Sequence, residues 1–166
     1  MQWLICSLAA VFLLPVSAFA QTPLQYYREL EGHWLATQNG FELNYKVAAH
    51  AVHIEGQECN ASAQGPTLCD DIDQSYQAKG ESISRDGGIY GELPVQIVEL
   101  SEHRLVRREA NPVNSKETAL TTEELVDPDT LRFVSETWVE GASQPQSRRE
   151  FTLHRDLTPA TVAASN

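Results

Sequence analysis

The chain has 166 residues, of which 42% are hydrophobic, and a formal net charge of −11. That length suits one domain with a single sizeable core. The acidic balance argues against nucleic acid or an anionic membrane surface as a partner.

Residues 1–20, MQWLICSLAAVFLLPVSAFA, hold no charged side chain and end in Ala18-Phe19-Ala20. This is the apolar core and small-x-small pattern of a secretory signal peptide, with cleavage expected after Ala20. Pro15 interrupts the apolar run, which is shorter than the roughly 20 residues a membrane-spanning helix requires. Cys6 lies too early to be a lipid-attachment cysteine. No second apolar span follows, so the mature chain is expected to be secreted or periplasmic, without membrane insertion. Its two cysteines, Cys59 and Cys69, form an even set in an oxidising compartment and are expected to be disulfide-bonded. The intervening NASAQGPTL is small and polar, so the bridge is expected to pin a loop.

Thr22-Pro23-Leu24-Gln25 combines a capping residue, proline at the first helical position and glutamine three after the cap. The helix it begins, LQYYREL, ends before Gly32 and is expected to dock through Leu24, Tyr27 or Leu30. From residue 33 to 155 the pattern has period two, with nine or ten short strands separated by turn signals. Strands at this spacing with no helical pattern between them indicate an all-β barrel or sandwich. The expected layout is a leader over 1–20, one β-domain over 21–155 and a frayed polar tail over 156–166.

The first hairpin has the strongest local signal. Asn39-Gly40 suits a two-residue turn, because both central positions need positive φ. Counting outward pairs Gln38 with Phe41, Ala36 with Leu43 and Trp34 with Tyr45, and places the apolar residues on one face.

Gly32-His33-Trp34, after a short helix and at the start of the first strand, resembles the Gly-x-Trp signature of lipocalins and related calycin barrels. The resemblance implies an antiparallel meander closed into a lipocalin-like barrel, like the small exported lipocalin-like proteins. It further implies that Trp34 closes one end, with an arginine from a late strand stacked on it; Arg148, Arg149 and Arg155 are candidates. Arg149-Glu150-Phe151 looks like the Arg-x-Tyr with which lipid-binding barrels hold a ligand carboxylate.

If Phe133 and Phe151 point inward, period two also turns Leu131, Ser135, Thr137, Val139, Arg149, Leu153 and Arg155 inward. A largely apolar interior with one buried guanidinium and a few hydroxyls suits a small hydrophobic or amphipathic molecule, anionic ones included; the alternative for Arg149 is a place at the rim or a structural stack on Trp34. The candidate ligand contacts are Arg149, Tyr45, Ser135, Thr137, Phe133 and Phe151.

Other patterns carry less chemistry. His50 and His53 have odd spacing, which on a strand sends them to opposite faces. Asp70-Asp71-Ile72-Asp73 reads as a solvated acidic loop, and Asn60-Ala61-Ser62 as a glycosylation acceptor in a eukaryotic source. No nucleophile–base motif or zinc signature occurs, and Glu123-Glu124 falls where a turn or a solvated strand face is expected. Neither a metal nor a cofactor is therefore called for. The expected role is a non-catalytic exported binding protein. The alternative is a packed barrel or sandwich that meets a protein partner at its surface, and less favoured is an enzyme on the same scaffold.

Overall fold

The computed structural model describes residues 21–37, 40–60 and 67–157. The leader, Asn39, Ala61 and Ser62 of the glycosylation sequon, and most of the tail lie outside these residues.

The elements run α1 (Pro23–Leu30), β1 (Gly32–Ala36), β2 (Phe41–Val47), β3 (Ala51–Asn60), β4 (Leu68–Lys79), β5 (Ser82–Asp86), a 3-10 turn (Gly88–Tyr90), β6 (Glu92–Leu100), β7 (Arg104–Ala110), β8 (Glu117–Asp127), β9 (Thr130–Val139) and β10 (Ser147–Arg155). Every strand pairs antiparallel with its sequence neighbour, and β10 closes on β1, so ten strands form a closed barrel. Trp34 lies opposite Arg155 and Ala36 opposite Leu153 at this closing seam.

The Thr22 capping box starts α1, with Thr22 Oγ1 accepting from the Gln25 amide and Gln25 Oε1 accepting from the Thr22 amide. At two turns the helix is too short to persist alone. It is held by burying Tyr26, Tyr27 and Leu30 completely in one end of the barrel. Leu24 is only partly covered. The Tyr27 ring meets Tyr45 at 6.1 Å and Tyr76 at 6.3 Å between centroids.

The hairpin register differs from the expected one by two residues. Trp34 lies opposite Leu43, and Tyr45 opposite Gly32. Because the displacement is even, Trp34, Phe41, Leu43 and Tyr45 all remain on the buried face. In this register the Trp34 indole Nε1 donates to the Leu30 carbonyl at 2.7 Å. Gly40 has φ of +54° at the hairpin end.

Arg155 completes this closed end. Its guanidinium lies 4.2 Å from the Trp34 ring centroid. Its nitrogens donate to the carbonyls of Glu31 (2.6 Å), Glu29 (2.7 Å) and Pro128 (3.1 Å). Carbonyls at a helix C-terminus lack intrahelical partners and favour a cation. Gly32 turns the chain between helix and strand at φ +120°, and a Cβ there would stand 3.4 Å from Arg155 Nη1.

Cys59 and Cys69 are bonded directly across the β3–β4 ladder, and the bridge therefore ties two strands at a hairpin end. Among the described glycines Gly56 has the closest neighbour: a Cβ there would stand 2.1 Å from the Glu42 carbonyl oxygen. Among the described residues no helix is long and apolar enough to cross a membrane.

Candidate functional site

The barrel interior divides into a filled half near α1 and a hollow half toward the β1–β2, β3–β4 and β9–β10 turns. Between them lies a buried polar network. Leu105, Arg107 and Glu109 alternate inward on β7, as do Thr121 and Glu123 on β8. Arg107 is 2% exposed and Glu123 is 0% exposed. Arg107 Nε donates to Glu109 at 2.9 Å, and Nη1 donates both to the Tyr27 hydroxyl at 2.8 Å and to Glu123. The Tyr45 hydroxyl donates to Glu123 Oε1 at 2.7 Å, and Arg85 meets Glu109 at 2.9 Å. Tyr76 shares its hydroxyl proton between Gln74 and Glu109, while Tyr26 donates to the Glu123 backbone carbonyl.

The network is thus two arginines and two carboxylates; Arg107, Glu109 and Glu123 each have several partners, the condition under which buried charge is tolerated, while Arg85 adds one ion pair to Glu109. Burial, reinforced by the Glu123 carboxylate, pushes the phenols of Tyr26 and Tyr45 far above their ordinary range. Burial likewise raises those of Tyr27 and Tyr76, against the opposing influence of Arg107. For Arg107 itself burial works against the charge, but Glu123 and its other partners outweigh it and raise the pKa.

Above Arg107 lies a cavity of about 190 Å³. Phe41, Phe133 and Phe151 form one wall; Phe41 stacks on Phe151 at 4.0 Å and meets Phe133 at 5.4 Å. Ser135, Gln74 and Arg107 supply polar surface, and Glu58 and Arg149 stand at the rim as an ion pair that reaches from β3 to β10. A second hollow of about 290 Å³ opens at the same end, lined in part by Arg85, Glu109, Ala119 and Thr137.

The sequence-derived ligand contacts are therefore dispersed. Phe133, Ser135, Phe151 and Arg149 share the first cavity, and Thr137 borders the second. Tyr45 is in the filled half, with its hydroxyl committed to Glu123. Arg149 sits at the rim, its side chain 58% exposed and bonded to Glu58, and is not a buried guanidinium. Of the three candidate arginines it is Arg155 that stacks on Trp34, while Arg148 pairs with Glu136 and Glu150 on the outer face. Glu123 does not lie on a solvated face.

His53 faces outward beside Ser75, Glu55 and Asp73. Asp70, Asp71 and Asp73 belong to β4 and not to a loop. Among the described residues no group of three His, Cys, Asp or Glu side chains is arranged to hold a metal ion.

Sequence reasoning missed Arg107, Glu109, Glu123, Gln74 and Glu58. A signal for the first three was present, since period two anchored on Leu105 and Leu125 carries these charged positions to the inner face. No protein-family model, no curated protein and no solved structure matches the chain.

Proposed function

We propose that this protein is an exported, non-catalytic binding protein that holds one small amphipathic molecule in the hollow half of its barrel. The observation that carries this reading is the cavity above Arg107: three phenyl rings and several polar side chains line about 190 Å³. A cavity of roughly 150 Å³ suffices for benzene, whereas drug-sized pockets begin near 300 Å³. The ligand is accordingly ring-sized. At the opposite end α1, Trp34 and Arg155 pack together, and the cavity lies away from them. Secretion is consistent with the leader sequence and the formed disulfide.

A screen of ring-sized fragments against isotopically labelled protein tests the reading. Binding fragments should shift the amide resonances of Phe133, Ser135 and Phe151 together. A screen in which no fragment perturbs those three overturns it.

A second reading, a surface module for a protein partner, draws on three apolar side chains near the same open end. Ile89, Val113 and Leu68 are 94%, 76% and 69% exposed. Single exposed apolar residues are common on soluble proteins, so this support is weaker.

A further inference from the structure

We infer that the cavity selects an uncharged ligand that carries a hydrogen-bond acceptor, such as an aryl amide or ketone, over the matching carboxylate. This rests on the proposed binding role and adds the ligand's charge.

Among the described residues, each arginine lining the cavity or its rim is already matched. Arg107 lies between Glu109 and Glu123, and Arg85 supplies the second positive charge of that network. Arg149 is taken by Glu58. A carboxylate entering this space sheds its hydration, meets no unpaired positive charge, and comes near Glu58 and Glu109. An ammonium group fares no better, because both network carboxylates are occupied by arginines.

What remains open is hydrogen-bond donation. Arg107 uses Nε and Nη1, and its Nη2 forms no hydrogen bond with any described residue. Gln74 accepts from Tyr76 through Oε1, which leaves its NH2 group without a partner among the described residues, and the Ser135 hydroxyl has none there either. All three side chains line the cavity. A carbonyl oxygen satisfies such donors without adding charge, while its ring lies against Phe41, Phe133 and Phe151.

Benzamide and benzoate differ mainly in charge and make the test direct. In titrations at neutral pH, followed by amide shifts and thermal stabilisation, benzamide should bind at least about tenfold more tightly than benzoate. Glu58→Gln releases Arg149 and should move the benzamide-to-benzoate affinity ratio about tenfold toward benzoate. Arg149→Gln leaves Glu58 alone at the rim and should move the ratio the other way. Benzoate binding the native protein as well as benzamide, or the two variants failing to move the ratio in opposite directions, overturns the charge assignment and leaves the binding role standing. Binding of neither compound, to the native protein or to either variant, overturns the binding role itself.

Discussion

Glu123 has no exposed surface and holds Arg107, Tyr45 and, through its backbone carbonyl, Tyr26. Removing one partner of a buried ion pair leaves the other charge uncompensated, at a cost of about 3–5 kcal/mol. Glu123→Ala should therefore lower unfolding stability by about that amount in urea titration. Glu123→Gln keeps the shape and a hydrogen-bonding oxygen, and should cost clearly less. Equal losses for the two would mean that the missing charge accounts for the whole cost and that shape and the remaining hydrogen bond contribute nothing. These residues were hard to foresee, because RLVRREA and TTEEL read as solvated strand faces when judged by residue type. Only parity, anchored on a neighbouring leucine, turns them inward, and a local pattern does not reveal a partner on another strand. Arg107 and Glu123 are sixteen residues apart and Arg107 and Tyr27 eighty, so their mutual satisfaction exists only in the closed barrel.

At the level of elements, the capping box, the proline start and Gly32 specified α1 locally, because its signals lie within one short segment. The β1–β2 hairpin was legible in face but not in register. Alternation fixes parity alone, and the two-residue displacement comes from Trp34 bonding to Leu30 and stacking with Arg155, neither of which the hairpin sequence contains. The disulfide was also foreseen, although it joins paired strands and not a free loop. Closing a segment of about ten residues should stabilise the fold by about 2–3 kcal/mol, largely through the unfolded chain. The double variant Cys59→Ser/Cys69→Ser should lose that much in urea midpoint comparisons while retaining its β-sheet circular dichroism. Loss of the sheet signal would show that the bridge is needed for the barrel to form.

For the whole molecule, an all-β meander was readable from regularly spaced turn signals, whereas the hollow was not, since it depends on which side chains meet across the barrel. The four buried phenols of Tyr26, Tyr27, Tyr45 and Tyr76 give the fold a defined alkaline limit, because each has its pKa raised. Below about pH 10 both native and unfolded chains keep these protons, and the stability is fully present. As pH rises further the unfolded chain releases them while the native barrel does not, so stability falls. Tyrosinate absorbance from these four should appear together with the loss of tertiary circular dichroism, in one cooperative step. Absorbance that grows well ahead of unfolding would show that the phenols are accessible in the native state. The seam between β1 and β10 bears on kinetics. The Arg155–Glu31 contact spans 124 residues of chain, so it can form only after the intervening hairpins have assembled. Contacts absent from the transition state act on escape from the native basin and leave entry into it nearly unchanged. In stopped-flow chevrons Arg155→Met should accordingly steepen the loss of native protein about tenfold and leave the refolding limb almost where it was. Arg155 then works as a late-closing clasp that sets how long the barrel lasts once made.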